Sequence, residues 1–210
     1  ANNRGDTCSG IPRAARRCRT VSEQDLFRVG ADDGPVRVHH HRQLAAARRA
    51  HQHAVLDPQG RSGDTGTGDD ETIFAGQGND TVEALNGRDF VDGGYGDDRI
   101  EGQGGADEIH GGAGNDTLYG GGGSDTLFGG DGEDRLSGGN GFDFIAGGAG
   151  DDEIYLNSGN DTATGEAGND MIWAGGGHDL VFGGDGDDVI LGRGGDDTIY
   201  GDAGNDKLTG

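Results

Sequence analysis

An aspartate stands at every ninth residue over more than half of the chain: Asp80, Asp89, Asp98, Asp107, Asp116, Asp125, Asp134, Asp143, Asp152, Asp161, Asp170, Asp179, Asp188, Asp197 and Asp206. Two residues before each is a glycine, from Gly78 to Gly204, and two residues after each is Ile, Leu or Val, with Ala163 the single exception. Glycine lets the backbone approach closely, so each carboxylate has main-chain carbonyls available beside it. No cysteine or histidine recurs in the same phase. The array therefore offers hard oxygen donors without thiolate or imidazole, and its chemistry is the ligation of a hard divalent cation.

The elements that position this array are read from the same period. Residues 66 to 209 divide into sixteen consecutive nonads without insertion or deletion. Glycine holds the fourth place, aspartate the sixth and an aliphatic residue the eighth; in the first nonad Asp69 and Glu71 take the fourth and sixth. Nine residues suit one half-turn of a parallel solenoid. Positions one to six are expected to bend, and seven to nine to form a short strand with the eighth side chain inward. Glycine supplies positive φ in the bend, and Asn or Asp at the fifth place (Asn79, Asp97, Asn115, Asn205) is the next best tolerated there. Two nonads make a coil, and same-side nonads stack about 4.8 Å apart. The expected fold is all-β: a right-handed parallel β-roll of about eight two-nonad coils, on the order of 40 Å long.

Such stacking sets the sixth-position carboxylates in columns at near strand spacing. Adjacent pairs repel by about 1 kcal/mol in water and roughly 3–4 kcal/mol at an effective dielectric of 20. One inward aliphatic side chain per nonad, at about 2 kcal/mol, is too little to absorb this. A cation between neighbouring bends turns the repulsion into attraction, and carboxylates with carbonyls in a flexible loop favour calcium.

The repeat resembles the G-G-x-G-x-D-x-U-x nonapeptide of RTX proteins, the hemolysin-type calcium-binding family. The resemblance covers residues 66 to 209 in sixteen in-phase copies. It implies a parallel β-roll with calcium between successive same-side bends, the sixth-position aspartates from Asp80 to Asp206 and bend carbonyls serving as ligands. Seven gaps on each side give up to about fourteen ions. Departures weaken particular sites. The third nonad, ALNGRDFVD, puts Ala84, Leu85 and Arg88 where Gly, Gly and Asn are usual; the eleventh, LNSGNDTAT, loses both leading glycines and the core aliphatic.

The charge separates the chain into two segments. The net charge is -23; residues 1–65 carry 11 arginines and 7 acids (+4), and residues 66–210 carry 5 bases and 32 acids (-27). Residues 1–65 are expected to be a poorly ordered Arg/His-rich leader, with residues 66–210 as the calcium-binding roll. The leader's His39–His41, His51 and His53 suit a flexible His-rich stretch, Cys8 and Cys18 allow a disulfide in an oxidising compartment, and Arg42–Val55 suits a short helix. No hydrophobic signal-peptide core or membrane span is evident. The start at Ala1 and the stop at Gly210, the first residue of a seventeenth unit, are expected of a fragment.

Other readings are weaker. G-x-G-x-x-G matches are frequent by composition, but an aspartate beside each bend repels phosphate, which argues against nucleotides and nucleic acid. Asp185–Asp188 opens like an EF-hand but meets Asp196 at the twelfth place. Neither H-E-x-x-H nor G-x-S-x-G occurs, and no enzyme activity is expected. Ninth-position aromatics (Phe74, Tyr119, Phe128, Tyr155, Trp173, Phe182, Tyr200) are expected to shield exposed strand surface.

The functional expectation is a calcium-binding module of a secreted bacterial protein that folds on calcium outside the cell. The resemblance implies export by type I secretion machinery. The alternative is an accessory module of a larger secreted enzyme (alginate epimerase, lipase or protease type) or of a cytolysin or adhesin. Open sheet edges at the ends of a roll also offer end-to-end self-association.

Overall fold

The computed structural model describes residues 52–55 and 63–210. Strands follow one another without a helix among these residues, so none is long and apolar enough to cross a membrane. Within the nonads each strand starts at the seventh place, except Glu71–Gln77, which starts at the sixth, and the short Asn86–Gly87. Strands that start at the sixth or seventh place of odd-numbered nonads form a nine-stranded sheet together with Gln52–Val55; those of even-numbered nonads form a ten-stranded sheet with Gly63–Thr65 and the short Asn86–Gly87. Pairing is parallel throughout, and within the nonads residue i faces residue i+18, as in Leu127↔Ile145 and Leu136↔Ile154. Two nonads therefore make one coil, and the parallel solenoid of about eight coils is the expected fold.

The strands are longer than the sequence pattern suggests. Thr117–Gly122 and Thr126–Asp131 run from the seventh place of one nonad to the third of the next. Only positions four to six turn. Glycines at the second place do not break the ladder; they pair in register with the second place of the neighbouring coil, as Gly130 with Gly112 and Gly148. The bend is closed by main-chain bonds between coils: the Gly114 N–H donates to the Asp131 carbonyl at 2.8 Å, and the Thr117 N–H to the Asp98 carbonyl at 2.8 Å.

From the second nonad on, positive φ occurs at the second and fourth places, not at the fifth. Gly112 and Gly114 have φ of 114° and 130°. The six non-glycine residues with positive φ, among them Gln103, Asn157 and Arg193, all stand at the second place. Fifth-place Asn and Asp do something else: their side chains hold the next coil. Asp97 Oδ1 accepts the Asn115 N–H at 3.0 Å, and Asn115 Oδ1 accepts the Glu133 N–H at 3.0 Å.

Three positions of each nonad face inward: the sixth, the eighth and the first. The eighth builds the core, from Ile73 through Leu118 and Ile154 to Ile190, every one fully buried. The outer faces carry rings that pack on one another along the axis. Phe74, Phe90, His110, Phe128 and Phe144 form a continuous file over one sheet, and Tyr155 stacks on Trp173 at 4.4 Å over the other. Arg99 and Arg135 lie over Tyr119 and Tyr155. Ring faces are spent on neighbouring rings, which fits the expected shielding of the strands.

The irregular nonads leave local marks. In the third, the strand stops at Glu83 and resumes at Asn86–Gly87, with Leu85 between them at φ 80°. The helix expected over Arg42–Val55 is overturned at its end, since Gln52–Val55 is a strand held by parallel pairing to Glu71–Phe74. The rest of that stretch lies outside the described residues, as do Cys8, Cys18, His39–His41, His51 and the rest of the expected leader, whereas His53 and Gly63–Thr65 stand in paired strands.

Candidate metal centre

The sixth-place aspartates form two columns, one along each edge of the roll. The column of even nonads runs from Asp80 to Asp206 and that of odd nonads from Glu71 to Asp197. In each, Oδ1 of one aspartate accepts the N–H of the aspartate one coil earlier. Asp116 Oδ1 takes the Asp98 N–H at 2.7 Å, and Asp134 Oδ1 takes the Asp116 N–H at 2.7 Å. The aspartates from Asp80 to Asp188 are almost wholly buried; Asp116 is 1% exposed. Asp197 and Asp206, on the last coil, are half-buried and accept the N–H groups of Asp179 and Asp188 at 3.0 and 3.1 Å.

The second carboxylate oxygen has another situation. In the twelve aspartates from Asp89 to Asp188, Oδ2 is buried without a hydrogen-bond partner. One such atom costs on the order of 1–3 kcal/mol, and more when charged. Twelve such atoms recurring along the two columns make these edges the candidate place for a cation.

The surroundings of Oδ2 fit that reading. Where the first place is glycine, as it is for all of these but Asp89, Asp161 and Asp179, Oδ2 points at that glycine of its own nonad. A Cβ on Gly111 would stand 2.4 Å from Asp116 Oδ2 and 2.7 Å from the Gly129 carbonyl oxygen of the next same-side coil. On Gly129 it would meet Asp134 Oδ2 and the Gly147 oxygen, both at 2.4 Å. Glycine is required here because a side chain would fill the cradle. The two oxygens that wall it are close enough to share one ion, whose coordination sphere at Ca–O distances of about 2.3–2.6 Å spans about 5 Å. Among the described residues no three His, Cys, Asp or Glu side chains converge on a metal position. The donors that do converge are one carboxylate and main-chain carbonyls.

Electrostatics follows from this burial. Without a cation, desolvation pushes Asp116 and Asp152 up to about 7, and Asp89, Asp98, Asp125, Asp161 and Asp170 up to about 6. The N–H donated to Oδ1 opposes the shift, and for Asp116 the charges of Asp134 and Asp98 add to it. Asp107, Asp134, Asp143, Asp179 and Asp188 are raised for the same first cause. A divalent ion beside Oδ2 reverses the balance by favouring the ionised form.

Orphaned carboxylate oxygens, glycine cradles and carbonyls from the following coil thus recur in the phase of the nonad, continuously along the even column from Gly93 and with gaps along the odd one. Residues 65–94, 92–127, 128–163, 155–190 and 182–210 match the model of the RTX calcium-binding nonapeptide repeat, which spans four copies. The chain belongs to the RTX calcium-binding repeat family. RTX repeats bind calcium, so residues 65–210 are a calcium-binding repeat module, and the β-roll is a structural fold rather than a catalytic one. The family typically belongs to secreted proteins. No curated protein matches the chain.

Two features of this RTX roll escaped the sequence reading. The first is the inward first place, where Ala75, Ala84, Leu156 and Ala174 replace glycine and are fully buried. Restriction of that place to Gly, Ala and one Leu was the available signal. The second is the fifth-place ladder, visible in the sequence only as a preference for short polar side chains.

Proposed function

We propose that this chain is the calcium-dependent module of a secreted protein, with the ion held between successive same-side bends. The carboxylate ligands are the sixth-place aspartates from Asp80 to Asp206, joined by first-place carbonyls of the next coil. The row of buried, unpartnered Oδ2 atoms facing those carbonyls carries this reading. Bound calcium supplies positive charge that neutralises the columns and links each coil to the next. Without it, -27 charges and 42 glycines over residues 66–210 oppose collapse.

Extracellular modules bind calcium at about 0.1–1 mM. A site of about 1 mM affinity gains only about 1.4 kcal/mol at about 10 mM ion, yet fourteen such sites sum to roughly 20 kcal/mol. The module is therefore unfolded at cytosolic calcium, passes a type I secretion channel as an extended chain, and folds outside. Circular dichroism of residues 52–210 during a calcium titration tests this. A steep coil-to-β transition at millimolar calcium is expected, with magnesium acting poorly because it demands tight octahedral geometry. A full β spectrum in excess chelator at pH 7.5 refutes calcium-driven folding.

A further inference from the structure

The two edges of the roll are not equivalent. On the even edge the first place is glycine in seven successive nonads, from Gly93 to Gly201. Six of these cradles are complete, each with its own Oδ2 at 2.1–2.5 Å and the next coil's carbonyl at 2.4–2.8 Å from the place of a Cβ. On the odd edge only the cradles of Gly102 and Gly120 pair an aspartate with the next coil's carbonyl in this way. At Gly138, Asp143 Oδ2 is present at 2.5 Å, but no carbonyl of the following coil comes as close as 3.0 Å. That following coil begins with Leu156, and the one after it with Ala174, both 0% exposed. Real side chains thus stand where the regular nonads leave room beside Asp161 and Asp179. Earlier on the same edge, Ala84 does the same beside Asp89.

A separate set of bonds repeats the asymmetry. On the even edge the fifth-place ladder is interrupted once, at Glu133, and otherwise runs from Asn79 to Asn205 with bonds of 2.8–3.1 Å. On the odd edge the ladder holds from Asp70 to Arg88 (3.0 Å) and across Asn160, His178 and Asp196 (2.9 and 3.1 Å). With Arg88, Ala106 and Phe142 at fifth places it is open between Arg88 and Asn160, where the N–H of Phe142 reaches Ser124 Oγ only at 3.4 Å. Bends that are not tied to one another are poorer templates for an ion held between them.

We propose that the roll carries two unequal ion columns: the even edge takes calcium as an unbroken file, and the odd edge is cut at Leu156 and Ala174. This rests on the calcium reading above and specifies where the ions go. Side chains at the first place act as plugs, because they occupy the space that a carboxylate and a carbonyl otherwise wall. The even edge loads first, and the odd edge follows in short, separate groups. The roll then holds fewer ions than its fourteen gaps.

The test is the number of calcium ions bound by the full chain at saturation, from native mass spectrometry and equilibrium dialysis. Ala174→Gly removes one methyl group, keeps the fold, and should raise the number by at least one; Leu156→Gly should do likewise. Gly147→Ala, in the middle of the even file, should lower it, whereas Gly192→Ala, on the last odd coil, should leave it unchanged. A chain that binds no calcium overturns the functional reading itself. A chain that binds calcium with a number unmoved by Ala174→Gly, or lowered equally by Gly147→Ala and Gly192→Ala, overturns the unequal columns alone. Circular dichroism in calcium confirms that each variant is folded when it is counted.

Discussion

Substituting two glycines of a single bend separates the conformational demand of the repeat from its demand for space. Gly139 and Gly141 are the second and fourth residues of the ninth nonad, with φ of 111° and 148°. A Cβ on Gly139 would stand 2.0 Å from the Gly121 carbonyl oxygen, and one on Gly141 only 1.4 Å from that of Gly123. Gly139 has a remedy. Its partner one coil on is Asn157, which relaxes to φ 72° at the same place. Gly139→Asn can follow, at about 1 kcal/mol for a left-handed asparagine. Gly141→Ala cannot, because its φ lies outside the left-handed basin and main chain must move by more than an ångström. Backbone strain of about 1–3 kcal/mol with one or two lost ladder bonds at about 1 kcal/mol each gives about 3–4 kcal/mol. With a urea slope near 2 kcal/mol/M, the two variants should differ by about 1 M or more in midpoint at fixed 10 mM calcium. Equal midpoints, or a worse Gly139→Asn, would show that coil stacking does not impose the fourth-place glycine.

Three further outcomes are expected. Asp134→Ala, within the regular even file, should raise the calcium midpoint of folding more than Asp89→Ala or Asp161→Ala, whose cradles already hold Ala84 and Leu156; identical midpoints in a titration followed by circular dichroism would refute a local origin. In chelator, acid should favour the fold. Asp116 and Asp152 titrate at about 7 in the roll and Asp98, Asp125 and Asp170 at about 6, against about 3.9 unfolded. The folded state holds more protons between about pH 4 and 7, so its stability falls as pH rises through that window; β content at pH 4.5 no greater than at pH 7.5 would contradict the buried columns. Finally, Trp173, the one tryptophan, stacks on Tyr155 with planes 4° apart. Tyr155→Ala should cost about 1 kcal/mol and shift tryptophan emission in calcium but not in chelator, and a shift in both would mean that the stack is not a product of folding.

Much of the architecture was legible because the period is uninterrupted. Sixteen nonads in phase specify coil length, strand pairing and the two carboxylate columns before any contact is known. What was not legible lies in the direction of side chains within the bend. The identity of Gly111 does not reveal whether its missing Cβ would face solvent or core, so the strand was read as three residues when it has six. Once Asp116, Leu118 and Gly120 are seen to alternate inward, the first place becomes part of the site. Fifth-place asparagine was read as a backbone preference when it is a tie between coils. Both kinds of residue, short and polar, satisfy either description, and only the stacking distance decides.

The direction of these ties has a consequence for how the roll responds to its ion. Sixth-place Oδ1 accepts from the preceding coil, as Asp116 does from Asp98. Fifth-place Oδ1 accepts from the following coil, as Asp97 does from Asn115. Each regular coil is thus held from both sides, by an inner ladder running one way and an outer ladder running the other, and strand pairing adds only the same neighbours. Energetics of this kind is nearest-neighbour, with an expensive first coil and cheaper additions. An ion that fixes one gap aligns the carboxylate and the carbonyl that wall the next. On the calcium reading proposed above, weak sites then fill as a group. Cooperativity requires no global rearrangement, only the continuity of first-place glycines, and Leu156 is where that continuity ends on one edge and persists on the other.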